Sequence, residues 1–317
     1  MDQSQSTHAV SVTGLRKSFG GRTVLDGIDL HVPAGTVFAL LGANGAGKTT
    51  TVRVLSTLLP FDAGEVEVAG HRLPSDARAV RADISVTGQY ASVDKLLTGR
   101  ENLVLMGELH HLGRRRAQRR ADELLSTFDL VDAAGRRADT YSGGMRRRLD
   151  LAMSLVARPK VLFLDEPTTG LDPRSRRDMW EMVRELVHEG TTIVLTTQYL
   201  DEADELADRI AVLDGGRIVA EGSADQLKRL VPGGHVELRL HDAAQVARAS
   251  AALPDAGVDH DNSTLTIPTD GSIRSLKEIL DRLDDPTLSV ESFTLHTPDL
   301  DDVFFALTGT ATKEEVR

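Results

Sequence analysis

Residues 42–49 have the residue types and the spacing of a phosphate-binding loop. The segment reads Gly-Ala-Asn-Gly-Ala-Gly-Lys-Thr, a full match to the pattern G-x-x-x-x-G-K-[ST]. Glycines at this spacing let the backbone approach an anion closely with its N–H groups turned inward. An apolar run precedes the loop and a helix-like stretch follows it, so Lys48 would reach the outer phosphates and Thr49 would face Mg²⁺. The segment predicts binding of a nucleoside triphosphate, with contacts from Gly42, Asn44, Gly45, Gly47, Lys48, Thr49 and Thr50.

Two adjacent carboxylates, Asp165 and Glu166, follow the short apolar run 161–164. Side chains alternate along a strand, so these two groups cannot do the same work. Asp165 suits the shell of Mg²⁺, and Glu166 is placed to orient or deprotonate an attacking water. A solvated acidic strand end is the alternative, which the apolar run and the upstream phosphate loop disfavour.

A third motif, Tyr-Ser-Gly-Gly-Met at residues 141–145, opens a predicted helix. Ser142 is a natural N-cap, and Gly143 and Gly144 would let a phosphate approach the helix end. A helix cap without any ligand is the alternative interpretation. Arginines at 146–148 follow the segment, and their simplest role is to favour a phosphate-rich interface.

Composition limits the function classes. The chain has 317 residues, enough for two domains, and its net charge of −11 disfavours a general nucleic-acid binder. Cysteine is absent, which excludes disulfides and thiolate metal sites, and the histidines lack the spacing of metal ligands. We therefore expect no metal other than Mg²⁺. No apolar run approaches the ~18–20 residues that cross a bilayer.

The chain predicts two domains of different organisation. The apolar runs 161–164 and 192–195 suit strands buried on both faces of a parallel sheet. A helical pattern covers residues 98–129, where the charged segment 114–120 is predicted to separate two amphipathic helices. A Pro-Gly-Gly segment then divides a region 1–230 from an α+β tail. In the tail, 231–317, we predict strands at 235–241, 263–268 and 288–296 and helices at 242–252, 272–284 and 298–308.

In their order along the chain, these motifs and Gly-Leu-Asp at 170–172 resemble the ATP-binding-cassette (ABC) ATPases, over roughly residues 9–225. The resemblance implies an α/β fold, the P-loop NTPase cassette. This fold has a RecA-like core, an antiparallel β subdomain and a helical subdomain at about 90–155, and here a small C-terminal α+β domain follows it. It also implies a head-to-tail homodimer on ATP binding, in which Ser142, Gly143 and Gly144 of one subunit close over ATP held by the other.

The resemblance assigns three further residues. Gln89 matches the family's glutamine that reaches Mg²⁺ and the attacking water, and Asp172 matches the residue that links the two ATP sites across the dimer. Phe19 lies where the family stacks an aromatic ring on adenine, although a core aromatic is the alternative there.

Gln198 departs from the family, which usually has histidine at this position. A glutamine amide can still donate to a γ-phosphate, but it cannot titrate. Either hydrolysis is slower, or the enzyme is active and Glu166 does the base work. The daunorubicin-resistance branch commonly shows Thr-Thr-Gln-Tyr-Leu here, as residues 196–200 do, and segment 297–309 resembles its terminal motif. The first feature favours an active ATPase, and the second supports the same branch.

The resemblance thus implies an ATP-hydrolysing subunit of an export transporter, peripheral on the cytoplasmic face of the membrane. A separate multi-span permease would carry a hydrophobic drug, antibiotic or lipid-like substrate. One alternative is a soluble ABC ATPase acting on ribosomes or DNA, which usually has two cassettes or a long coiled coil. The other is a nucleotide-gated regulatory subunit with little turnover, motivated by Gln198.

Overall fold

The computed structural model describes residues 8–88, 92–231, 234–253, 255–259, 262–269, 271–283, 285 and 288–309. The chain forms two compact units, Met1–Ala224 and Asp225–Arg317. The division lies within a short helix just before residue 230, where the sequence placed the domain boundary. None of the helices in the described ranges combines the length and the apolar character needed to cross a membrane.

The first unit alternates strands and helices. Its strands are β1 His8–Phe19, β2 Arg22–Pro33, β3 Val37–Leu41, β4 Ala63–Val68, β5 His71–Leu73, β6 Ile84–Thr87, β7 Val161–Asp165, β8 Thr192–Thr197, β9 Arg209–Asp214 and β10 Arg217–Gly222. Its helices are α1 Lys48–Leu55, α2 Ala77–Asp83, α3 Gly99–Leu109, α4 Arg114–Thr127, α5 Gly143–Ser154, α6 Pro173–His188 and α7 Leu200–Leu206.

A six-stranded sheet in the order β10-β9-β3-β8-β7-β6 forms the centre of this unit. Its strands run parallel except β10, which is antiparallel to β9 at the edge. Strands β3, β7 and β8 are buried along their whole length, which explains their nearly unbroken apolar runs. Parallel strands end at one edge of the sheet, so the segments that follow β3, β7 and β8 meet there. This is the predicted P-loop α/β fold.

A second, antiparallel sheet in the order β2-β1-β4-β5 packs on the same core. Val10 and Leu30 of this sheet belong to one buried cluster with Phe38 and Val194 of the central sheet. Burial of alternate side chains of β1 and β2 in this cluster is the expected pattern for strands with one face towards a core. The antiparallel β subdomain is therefore present.

The helical region differs from the prediction at residues 114–120. These residues do not separate two helices; they form the first half of α4. The interruption lies at 110–113, where His111 and Gly113 have φ angles of 58° and 72°. Arginine favours helices, and four of the arginines in this segment are exposed to solvent, so their charge does not oppose a helix. The break comes before them, at Gly113, because glycine readily adopts a positive φ.

The second unit is a small α+β fold. Its elements are α8 Ala224–Lys228 at the boundary, β11 His235–Leu240, α9 Ala243–Ala252, β12 Gly257–Asp259, β13 Thr264–Pro268, α10 Ile273–Arg282, β14 Val290–His296 and α11 Leu300–Thr308. The antiparallel sheet has the order β12-β13-β11-β14. Val236, Leu238 and Ile267 of the sheet share a core with Val246 of α9 and Ile279 of α10. The predicted elements are confirmed within a few residues, and β12 is an addition.

Candidate functional site

The phosphate loop joins β3 to α1 and depends on two glycines. A Cβ atom on Gly42 would lie 2.4 Å from the carbonyl oxygen of Leu213, which is backbone and cannot move aside cheaply. A Cβ atom on Gly47 would lie 2.7 Å from Leu25 Cδ2, and the φ of Gly47 is 115°. Gly45 also has a positive φ, 83°, and faces open space. The loop is therefore a cradle of backbone that side chains at these positions would fill or distort.

Lys48 lies at the base of this cradle and is only 4% exposed. Its Nζ donates to the carbonyl oxygens of Gly42 at 2.7 Å and Ala43 at 3.1 Å, and it lies 3.8 Å from Glu166 Oε1. Burial lowers the pKa of Lys48, while the negative charges of Glu166 and Asp165 oppose this shift. The ammonium group is thus held where an anion in the cradle would meet it.

Asp165, the last residue of β7, forms a cluster of oxygen atoms with two threonines. Its Oδ1 accepts hydrogen bonds from Thr49 Oγ1 at 3.1 Å and from Thr196 Oγ1 at 2.6 Å. Asp165 is the register partner of Thr196 in the β7–β8 ladder, which fixes the second contact. Hydroxyl and carboxylate oxygens are ligands that Mg²⁺ prefers, so Thr49 and Asp165 fit this ion. The sequence did not identify Thr196; its signal was two threonines ending an apolar strand.

Glu166 directly follows β7 and has a left-handed backbone with φ of 50°. Its N–H donates to the carbonyl oxygen of Thr196 at 3.1 Å and to Thr196 Oγ1 at 3.2 Å. Its Oε2 accepts a hydrogen bond from Thr169 Oγ1 at 3.3 Å. A positive φ is unusual for glutamate and persists only where surrounding contacts enforce it. The carboxylate is thereby oriented beside Lys48 and the phosphate loop.

The Ser-Gly-Gly segment caps α5, as predicted. Ser142 Oγ accepts a hydrogen bond from the N–H of Met145 at 3.2 Å. A Cβ atom on Gly143 would meet nothing within 4 Å, whereas one on Gly144 would lie 2.8 Å from Ser175 Oγ. Among the described residues, this segment makes no hydrogen bond to the phosphate loop of its own chain.

Asp172 caps α6 beside that segment. Its Oδ1 accepts from the N–H groups of Arg174 and Ser175, and its Oδ2 accepts from Ser175 Oγ at 2.7 Å. The hydrogen bonds from Ser175 lower the pKa of the Asp172 carboxyl. Ser175, which hydrogen-bonds to Asp172, thus also borders the position of Gly144, a proximity that the sequence did not reveal.

Four other predicted residues complete the account of the site. Phe19, at the end of β1, is 47% exposed, with Lys17 Nζ 5.3 Å from its ring centroid. A core aromatic is therefore the wrong interpretation, and the ring is accessible. Gln198 is partly buried just past β8, and Thr50 lies in the first turn of α1. Gln89 lies outside the described residues.

Two buried charged residues differ from the sequence-based interpretation: Arg147 was assigned another role, and Glu202 was not identified. Arg147 is not part of an interface-facing arginine group, as the sequence suggested for 146–148; it is buried in an ion pair with Asp150. Glu202 of α7 is fully buried, and its Oε1 accepts a hydrogen bond from Trp180 Nε1 at 3.4 Å. Burial raises the pKa of Glu202, and hydrogen bonds, first from Thr197, oppose the shift.

Comparison with known proteins gives the same assignment. Residues 25–169 match the family described as ABC transporter. The daunorubicin resistance ATP-binding protein DrrA3 of Streptomyces coeruleorubidus is 53% identical over 303 residues, covering 95% of this chain and 96% of that protein. The Nod factor export ATP-binding protein I of Paraburkholderia xenovorans is 42% identical over 219 residues, covering 69% and 72%.

Solved structures show the same fold. One is the crystal structure of an ATP-binding cassette of an ABC transporter in its ADP conformation, with a TM-score of 0.64 and 26% identity. The match covers 70% of the present chain and 93% of the solved cassette. A nucleotide-free cassette also has a TM-score of 0.64, with 27% identity, and covers 70% and 94%. The chain therefore belongs to the ATP-binding proteins of ABC transporters, in the branch of the daunorubicin-resistance ATP-binding proteins.

Proposed function

We propose that this chain powers export of a hydrophobic drug, antibiotic or lipid-like molecule through a separate multi-span membrane subunit. As a member of its family, the chain is an ATPase that drives efflux. The convergence of Lys48, Thr49, Asp165 and Glu166 at the phosphate loop is the observation that supports this most. The names of two relatives, one for daunorubicin resistance and one for Nod factor export, support the cargo class. We place the subunit on the cytoplasmic face of the membrane, bound to its partner.

The nucleotide would be ATP with Mg²⁺. Thr49, Asp165 and Gln89 would hold the ion, which neutralises charge on the phosphates when bound. Lys48 would exchange its two carbonyl acceptors for phosphate oxygens without leaving the loop. The remaining contacts would come from Phe19, Gly42, Asn44, Gly45, Gly47 and Thr50 in one subunit and from Ser142, Gly143, Gly144 and Asp172 in the other.

Hydrolysis would depend on the fixed position of Glu166. Two bonds from its N–H to Thr196 hold the backbone, so the carboxylate can accept a proton from the attacking water without first being ordered. Lys48 would stabilise the charge that develops on the γ-phosphate. The side-chain amide of Gln198 would donate a hydrogen bond to the same phosphate, which leaves Glu166 as the base.

Two copies would enclose two nucleotides. The Gly143 position is open, so a phosphate could approach the N-terminus of α5 there. Within one chain this segment does not bond the phosphate loop, which agrees with a role across an interface. We assign the cassette to residues 1–230, with a helical subdomain at about 90–155, and an accessory domain to 231–317.

The test is steady-state phosphate release by the purified chain, alone and with the multi-span protein encoded beside it. We expect turnover, and sedimentation with membranes only when that protein is co-expressed. Lys48→Ala should abolish nucleotide binding, and Lys160→Ala is the control because it removes an exposed lysine that pairs with Asp83. Co-purification with ribosomes would instead favour the soluble class, and negligible release with the partner present would favour a regulatory subunit.

A further inference from the structure

We propose that Arg147 and Asp150 are positioning residues that couple the serine-capped helix α5 to the catalytic strand ends. Through them, the two ATP sites of the dimer would respond to each other. This inference rests on the proposed dimer and adds to it a route within each subunit.

Arg147 bridges the ends of two neighbouring parallel strands. Its Nε donates to the carbonyl oxygen of Pro167 at 2.7 Å, and its Nη1 donates to that of Gly88 at 3.0 Å. Gly88 directly follows β6, and Pro167 directly follows Glu166. A single guanidinium group from α5 therefore fixes the backbone next to the proposed base.

Asp150 completes the arrangement one turn further along α5. Its Oδ2 lies 3.2 Å from Arg147 Nη1, and its Oδ1 accepts a hydrogen bond from the N–H of Ser92 at 2.7 Å. Gly88 and Ser92 stand on either side of residues 89–91. The pair thus binds the described backbone on both flanks of the segment that contains the predicted Gln89.

The burial of this pair indicates a specific role. Arg147 is 9% and Asp150 3% exposed. Burial lowers the pKa of Arg147 and raises that of Asp150, and the attraction between the two groups opposes both shifts. Apolar side chains of similar volume could fill the same space, often without loss of stability. They could not present the rigid fork of donors that orients two carbonyl groups at once.

The consequence follows from where α5 begins. Its cap, Ser142, would contact ATP held by the partner, whereas Pro167 adjoins the base of its own site. A helix is stiff, so a displacement of Ser142 on closure would move Arg147 and with it the backbone at Glu166. One subunit would sense in its own site whether the opposite site holds ATP, which is the two-site coupling that allostery requires.

The experiment uses the full chain with its membrane subunit and measures phosphate release against ATP concentration. The double variant Arg147→Met with Asp150→Leu removes both charges together, which avoids leaving one of them buried and unpaired. We expect kcat to fall about 10–100-fold with KM changed less than about threefold. The Hill coefficient should fall towards one. Arg147→Lys keeps the positive charge but loses the guanidinium fork, so its kcat and Hill coefficient should lie between those of the native chain and the double variant.

The control is Arg184→Met with Glu205→Leu, which removes an exposed ion pair between α6 and α7. It should leave kcat and the Hill coefficient unchanged. A purely structural role for Arg147 would lower the melting temperature and the number of nucleotide-binding sites, with normal turnover and cooperativity per remaining site. That result, or native values in the double variant, would overturn the inference.

The dimer itself is tested separately with Glu166→Gln and ATP, analysed by light scattering. A variant that stays monomeric would contradict the proposed function and remove the basis of the coupling. A variant that dimerises leaves the proposed function standing, and the Arg147–Asp150 measurement then decides the coupling alone.

Discussion

Replacing Glu166 by glutamine separates the charge of this side chain from its shape. The amide is isosteric, so the backbone bonds to Thr196 and the contact with Thr169 can persist. The ion pair with Lys48 is lost. At 3.8 Å and an effective dielectric of ~20, its gross attraction is about 4 kcal/mol, an upper limit to the loss of unfolding free energy. Lys48 keeps both carbonyl acceptors, so the actual loss should be well below this.

The rate should change far more than the stability. A general base contributes ~10²–10⁴-fold, or about 3–5 kcal/mol of barrier, and a glutamine amide cannot accept the proton of water. Removing a negative charge beside the phosphates should also strengthen ATP binding. We therefore expect Glu166→Gln to retain ATP and to accumulate as the closed dimer.

The assay is phosphate release at saturating Mg²⁺ and ATP, combined with size-exclusion chromatography and light scattering. Glu185→Gln makes the same chemical change on an exposed face of α6 and should behave as the native chain. Turnover by Glu166→Gln within about threefold of native would remove this residue from the base role.

Three further predictions concern the loop, the buried acid and the accessible ring. Gly42→Ala should lower the free energy of unfolding by about 1–3 kcal/mol and weaken ATP binding, because its Cβ would overlap the carbonyl of Leu213. Gly135→Ala, where a Cβ meets nothing within 4 Å, is the control for denaturant melts. The raised pKa of Glu202 means that its stabilising contribution is complete below its ordinary value of 4.5 and is lost as pH rises through the folded value. Between pH 4.5 and the folded pKa of Glu202, the free energy of unfolding of Glu202→Gln should therefore rise relative to that of the native chain, by at most about 1.4 kcal/mol per pH unit. A parallel pH dependence of the two proteins in denaturant melts would contradict this prediction. Phe19→Ala should raise the Kd for ATP about 5–150-fold if stacking is worth ~1–3 kcal/mol, and Phe19→Trp should restore it; equal affinities by calorimetry would exclude stacking.

The sequence predicted the fold well where local pattern and tertiary burial agree. Strands β7 and β8 are apolar throughout because both faces are covered, and glycines mark the loop that follows β3. The prediction was wrong at residues 114–120, where a dense run of charged residues was interpreted as an interruption between two helices. Arginine supports a helix, and these residues lie within α4. The prediction also missed β12, whose three exposed residues pair with β13 at the edge of the described sheet and leave no periodic signal.

The grouping of residues around the phosphate loop was predictable as far as the motifs extend. Glycine spacing, the lysine and the paired carboxylates each follow from chemistry that needs them at fixed separations. Thr196 and Arg147 could not be found in this way, because their roles arise from strand register and from helix packing. An arginine between two other arginines gives no sign in sequence that it alone is buried.

The left-handed backbone at Glu166 has a consequence for protein engineering. Glycine adopts this conformation freely, whereas a residue with a Cβ is strained by about 1–2 kcal/mol. The amino acid that best relaxes the chain at this position is thus one that has no side chain to activate water. Directed evolution of this transporter subunit for heat resistance alone should enrich inactive clones here, so such a campaign needs a turnover screen beside its thermal one.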